Sequence, residues 1–215
     1  MRTPIVLAFL ISITASPAFA HPHVFVEVAV AVVYDGDRPV AVRLDWSYDD
    51  YFSLLLTADL GIDQDGDGVL TPAETDILMT SVKEWPTDFG GDLEVLQNGQ
   101  GIALGPREDH TVTFENGIVR ESHTRPLLPP VDANVPLVVR PYDPYYYVAY
   151  DVTGNLTTEG REGCAGVLQL PDEEAAKAVV EKLLDGRSAA DVGATEAFPE
   201  VGNLFAQTVT FTCAE

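Results

Sequence analysis

HPHVFVEVAVAVVY, residues 21–34, alternates between apolar and other side chains. Val24, Val26, Val28, Val30 and Val32 share one face, the period of a strand with one buried side. Asp35-Gly36 marks a hairpin turn, lengthened by Asp37, Arg38 and Pro39. Val40, Val42, Leu44, Trp46 and Tyr48 alternate again, so a second strand is predicted beside the first. The period then changes. DDYFSLLLTADL, residues 49–60, repeats Phe52, Leu55, Leu56 and Leu60 at helical spacing, with Asp49 or Asp50 available as a cap.

The next twelve residues, Asp63 to Glu74, fit an EF-hand calcium loop at each diagnostic position. Asp63, Asp65 and Asp67 stand at positions 1, 3 and 5. Gly68 stands at the sharp turn, Val69 offers its carbonyl, Thr71 binds directly or through water, and Glu74 can close the site with two oxygens. An all-oxygen shell of this size suits Ca²⁺ better than Mg²⁺, which demands tighter octahedral geometry. The same residues encode a helix start. Thr71 is a good N-cap, Pro72 suits the first helical position, and Glu74 completes a capping box. A helix is predicted from Pro72 to about Glu84, ended by Pro86. Gly61 is expected to weaken the incoming helix. No second loop is present to pair with Leu70 at position 8.

From Asp92 the texture is β again, with turns at Asn98-Gly99 and Asn116-Gly117. Strands are predicted over 135–142, 145–153, 163–170 and 204–213, with a helix in PDEEAAKAVVEKLLDG ended by Gly186. The predicted fold class is α+β. It is a β-rich, sandwich-like domain over 21–215, with a helical EF-hand-like insertion at 49–85 and one C-terminal helix.

Residues 1–20, MRTPIVLAFLISITASPAFA, read as a secretory signal peptide cleaved after Ala20. The apolar run is short for a membrane anchor. The expected location is therefore periplasmic or secreted, with no transmembrane segment in the mature chain. The formal charge is −22, and −23 once Arg2 is removed, which argues against nucleic acid and anionic lipid as partners. In an exported chain the two cysteines, Cys164 and Cys213, are most simply one disulfide. A two-thiolate metal site lacks the usual CxxC spacing.

Cleavage after Ala20 gives His21 a free α-amine. His21, His23 and Glu27 lie on one side of the first strand and suit a borderline metal such as Cu²⁺, Ni²⁺, Co²⁺ or Zn²⁺. Pro22 has no amide hydrogen, which removes the square-planar amine–amide–amide–His mode. His110 and His123 are expected to be ordinary strand residues. Tyr145, Tyr146 and Tyr147 form an unusual aromatic run, read as a packed strand edge or as a partner surface, with Tyr146 facing away from its neighbours. No nucleophile elbow, Walker loop, dinucleotide fingerprint or HExxH occurs, so no enzymatic activity is expected.

The opening HPHVFVE, the run WSYDDYFS at 46–53, the acidic DxDGDG loop ending in Glu, and YDPYYY at 142–147 together resemble the bacterial family catalogued as domain of unknown function 1007. The likeness is carried by residues 21 to about 153. It implies a periplasmic component of an uncharacterised transport system, of the kind found near nickel, cobalt or zinc transporters. The leading expectation is thus a metal-binding accessory protein of an inner-membrane transition-metal transporter, with a structural calcium site. The alternatives are a calcium-stabilised interaction module with no transition-metal role, and a copper oxidase built on an N-terminal histidine brace.

Overall fold

The structure is a computed structural model that describes residues 22–86, 89–129, 131–132, 134–154, 156–187, 189, 192 and 198–214. The leader and His21 lie outside the described residues. Strands β1 (Val24–Asp35) and β2 (Arg38–Tyr48) form the predicted hairpin, with a register shift between Val33 and Tyr34. Helices α1 (Asp50–Leu60) and α2 (Pro72–Ser81) flank the acidic loop. Then come β3 (Leu93–Gln97), β4 (Gln100–Gly101), β5 (Ala103–Leu104), β6 (Glu108–Glu115), β7 (Ile118–Leu128), β8 (Leu137–Pro141), β9 (Val148–Val152), β10 (Thr157–Glu159) and β11 (Cys164–Gln169). The chain closes with α3 (Glu173–Leu183), α4 (Gly202–Phe205) and β12 (Thr208–Cys213).

Among the described residues the strands make two sheets. In the first, β1 pairs with β2 and β2 with β7, all antiparallel. β9 and then β10 run parallel to β1 along its other edge, while β6 and β5 line the far edge of β7. The second sheet runs β11–β12–β8–β3–β4. Val24 to Val32 at even positions, with Val42, Leu44 and Trp46, bury one face of the first sheet. Val95, Leu137, Val139, Val209 and Phe211 of the second sheet pack against them. Burying side chains of this size contributes roughly 1.5–3 kcal/mol each.

The first sheet is longer than its partner. Where the second sheet ends, α1, α2 and the loop cover the remaining inner face through Ile62, Leu78, Val112 and Val119. A third cluster, with Ala176, Val180 and Phe205, joins α3 to α4. Cys164 and Cys213 are register partners on β11 and β12 and are disulfide-bonded, as the sequence suggested. A 49-residue closure of this kind contributes about 4 kcal/mol in the chain-entropy model.

Two sequence expectations need correction. The run Tyr145–Tyr147 is a turn, and the strand starts at Val148. Asp143 dictates this: its carboxylate accepts hydrogen bonds from the N–H groups of Tyr145, Tyr147 and Val148 at 2.7–3.0 Å. Tyr146 takes a left-handed backbone (φ 56°), which ends any strand geometry. The expected strand over 204–213 is likewise a short helix followed by a strand. Gly202 opens that helix where the backbone crosses Asp143 so closely that a Cβ would run into the Asp143 carbonyl, while Gly202 N–H donates to Pro144 O at 2.8 Å.

This crossing gives a direct test. Gly202→Ala should lower unfolding free energy by about 2 kcal/mol or more, since neither backbone can yield without breaking the turn. Gly90→Ala meets no atom within 4 Å and should stay within about 0.5 kcal/mol of the parent. Urea unfolding of the two variants measures both.

Candidate cation site

Asp49 sets the start of the helix–loop–helix. One carboxylate oxygen accepts from Phe52 N–H at 2.7 Å and caps α1, and the other accepts from Phe25 N–H at 2.7 Å and ties the helix to β1. Ser53 is fully buried, and its hydroxyl accepts from Val119 N–H at 3.1 Å. These contacts explain why WSYDDYFS carries polar residues in a half-buried stretch. α1 ends at Gly61 in the left-handed region (φ 66°), with its N–H donating to Ala58 O. The glycine expected to weaken the helix is its C-terminal stop.

The loop is wound by short-range hydrogen bonds. Gly66 N–H donates to the Asp63 carbonyl at 3.0 Å, Gly68 N–H to Asp63 Oδ1 at 3.1 Å, and Val69 N–H to Asp67 Oδ1 at 2.8 Å. Gly66 and Gly68 both have positive φ, of 68° and 75°, which this winding requires. As a result one carboxylate oxygen from each of Asp63, Asp65 and Asp67 lies within 4.8 Å of the other two. Three like charges this close repel, and a hard divalent cation is the partner that cancels the repulsion.

Glu74 lies beside this triad rather than in it. Its Oε1 accepts from Asp63 N–H at 3.0 Å, and its Oε2 accepts from Thr71 N–H at 2.9 Å and the Thr71 hydroxyl at 2.7 Å. The predicted capping box is therefore formed. The Thr71 hydroxyl, followed by the backbone N–H groups, holds the Glu74 carboxyl below its ordinary pKa. To reach an ion at the triad, Glu74 must exchange some of these contacts for metal–oxygen bonds.

The loop leans on a distant hairpin. A Cβ on Gly68 would stand 3.2 Å from Gly117 N, at the β6–β7 turn. Leu70 packs against the cluster of Ile62, Leu78, Val112 and Val119, the last two from the same hairpin. The apolar position that has no second loop to pair with is thus satisfied by a β-turn.

Behind the helices the inner face of β7 reads Val119, Glu121, His123, Arg125, Leu127, all buried. Arg107 approaches Glu121 Oε1 at 2.7 Å, and its other nitrogen donates to the carbonyls of Val82 and Lys83 at 2.7 and 2.8 Å. Arg125 donates to Gly105 O and Gly90 O. Trp85 lies under the Arg107 guanidinium at 4.4 Å and edges onto the His123 ring at 5.1 Å. His110 Nε2 and His123 Nδ1 stand 3.2 and 3.6 Å from Glu121 Oε1. Burial, then Arg107, Arg125 and His110, pushes the His123 pKa down to about 3, so this imidazole is neutral. Burial raises Glu121, and the Arg107 contact opposes that rise.

The two histidines expected to be isolated strand residues are therefore brought together around one carboxylate. They do not make a metal site: Arg107 already holds the carboxylate, and a dication there would face two guanidinium groups. Among the described residues, the Asp63–Asp65–Asp67 triad is the group with converged ligand atoms. His23 and Glu27 are both exposed and lie about 13 Å apart along an extended chain, too far to share one ion. The His23 ring sits 4.7 Å from Tyr147. Tyr145 and Tyr147 are exposed, while Tyr146 stacks on Phe205 at 4.0 Å. His21 lies outside the described residues.

A family model described as "Protein of unknown function (DUF1007)" matches residues 6–213. No curated protein matches the chain.

The same interior holds Asp92, which accepts from the Tyr150 hydroxyl at 2.8 Å. Burial pushes its pKa up to about 7, against the Tyr150 hydrogen bond. The native state then binds a proton that the unfolded chain releases near pH 4. Stability falls as pH rises from about 4 to about 7 and levels off above, by up to roughly 4 kcal/mol. Asp92→Asn keeps the Tyr150 acceptor and removes the titration. Urea midpoints measured across that range should decline less steeply for Asp92→Asn than for the parent; equal slopes would refute the assignment.

Proposed function

The chain belongs to the DUF1007 family, whose description assigns it no activity, and from that premise we propose that it is a calcium-binding protein that works outside the cytoplasm. The reading rests on one observation above the rest: one carboxylate oxygen from each of three loop aspartates converges within 4.8 Å of the other two, an arrangement that could hold a cation. The EF-hand spacing from Asp63 to Glu74 supports Ca²⁺ as that cation, with the Val69 carbonyl, Thr71 and Glu74 completing an oxygen shell. The disulfide between Cys164 and Cys213 supports an oxidising compartment. No helix among the described residues is long and apolar enough to cross a membrane. The role is structural and binding rather than catalytic: Ca²⁺ fixes α1 and α2 relative to the first sheet.

A lone loop of this kind binds at roughly 10⁻⁴–10⁻³ M. At about a hundred times that dissociation constant, linkage adds roughly 2.7 kcal/mol of stability. Ca²⁺ should therefore raise the melting temperature of the parent well above an equal concentration of Mg²⁺, and Glu74→Gln should lose most of that rise. A parent that responds to neither ion, or to both alike, sinks the reading.

The finer proposal follows the family resemblance: an accessory protein of a nickel-, cobalt- or zinc-type transporter, holding the transported metal at the His21 amine and imidazole with exposed His23. Glu27 is too distant to join His23 on the same ion. Metal analysis of protein with its native N-terminus decides between the two levels. One calcium and one transition metal per chain supports the accessory role. Calcium alone leaves the calcium-stabilised interaction module.

A further inference from the structure

Away from the acidic loop, a cavity of about 710 Å³ opens between the start of α1, the outer face of β1 and β2, and the α4 segment. Its volume is that of a small-molecule site. The sheet registers place four of its lining residues in one row. Asp151 on β9 is the partner of Glu27 on β1, Glu27 is the partner of Ser47 on β2, and Ser47 is the partner of Arg120 on β7. All four point outward, and neighbours in the row are about 4.8 Å apart.

Two like charges side by side on adjacent strands destabilise a sheet. Asp151 is held by the Gln207 amide at 2.8 Å. The Glu27 carboxylate has no hydrogen-bond or ion-pair partner among the described residues. Asp49, Asp50 and Glu173 add three more carboxylates to the lining, and its arginine, Arg120, is engaged with Glu115. Glu173 is paired with Lys177 at 3.0 Å and Arg120 with the Glu115 carboxylate at 3.9 Å, which leaves the carboxylates of Glu27, Asp151, Asp49 and Asp50 in excess.

The remaining walls are aromatic. Phe25 is 56% exposed, a large apolar residue left uncovered beside the acid pair. Tyr142, Tyr146 and Phe205 complete the surround. Tyr150 is the register partner of inward-facing Val26, and its ring packs on Trp46 in the core, on the other side of the sheet from Glu27 and Asp151. Carboxylates beside ring faces recognise a protonated amine with an apolar body, through ion pairing and cation–π attraction together.

We propose that this cavity is a binding site for a small organic amine, with the ammonium on Glu27 and Asp151 and the apolar body against Phe25, Tyr142 and Tyr146. The site uses the start of α1 but none of the carboxylates of the acidic loop. Glu27 and Asp151 repel an anionic ligand of the same shape from their end of the row.

The test is titration calorimetry with the loop saturated in Ca²⁺, so that failure here leaves the calcium reading untouched. The probes are phenethylamine, hexylamine and 3-phenylpropanoate. At least one amine should bind ten times or more tighter than the carboxylate. Glu27→Gln removes charge without removing any hydrogen bond and should weaken that amine at least tenfold, with an unchanged melting temperature. Binding should also weaken as ionic strength rises. Three results overturn the proposal: no heat from either amine, equal or tighter binding of 3-phenylpropanoate, or undiminished amine binding by Glu27→Gln.

Discussion

One buried ion pair joins the two halves of this protein. Arg107 meets Glu121 at 2.7 Å, and the same guanidinium holds the last carbonyls beyond α2. Tyr48, at the end of β2 and just before α1, approaches Glu121 from the other side at 3.5 Å. The sandwich core and the helical core therefore meet at a single carboxylate. Charge at such a seam is expensive to bury, and the two guanidinium groups offset it with several acceptors, while both ring nitrogens of His123 and Nε2 of His110 make no hydrogen bond among the described residues. Arg107 uses its fork on three acceptors, Arg125 on two, and Trp85 fills the space between them. Gly91 makes room for this arrangement, since a side chain there would collide with Arg125 and Trp85.

This seam accounts for the position of the acidic loop. α1 is anchored through Asp49 and Ser53 to β1 and β7, and the exit of α2 is clamped by Arg107. With both ends fixed, the intervening residues can wind tightly enough to bring three carboxylates together. The loop's own hydrogen bonds wind it, and the surrounding packing fixes the ends between which it winds.

The parts legible in the sequence were those encoded locally. Alternation from Val24 to Tyr48 announced the hairpin, twelve consecutive residues announced the loop, and two cysteines in an exported-looking chain announced their bond. The seam was illegible for a physical reason. Along β7, Glu121, His123 and Arg125 occupy the inward positions between Val119 and Leu127. Polar residues also occupy the outward positions, so the strand shows no hydrophobic period there. Their burial depends on Arg107 and Trp85, which only the tertiary fold supplies. The tyrosine run misled for the opposite reason: good strand formers were overruled by one aspartate that captured three backbone N–H groups.

The contact between Gly68 and the turn at Gly117 bears on modularity. The two glycines are 49 positions apart, since 117 less 68 is 49. The acidic segment is thus local in sequence but not in structure. A peptide cut at residues 49 and 85 would carry the ligands and lack the surface that Leu70 and Gly68 rest on. During synthesis, the ligands leave the ribosome before their support does. The geometry of the acidic triad is thus tied to a hairpin made well after it in the chain, and the segment from 49 to 85 is not a self-contained cassette.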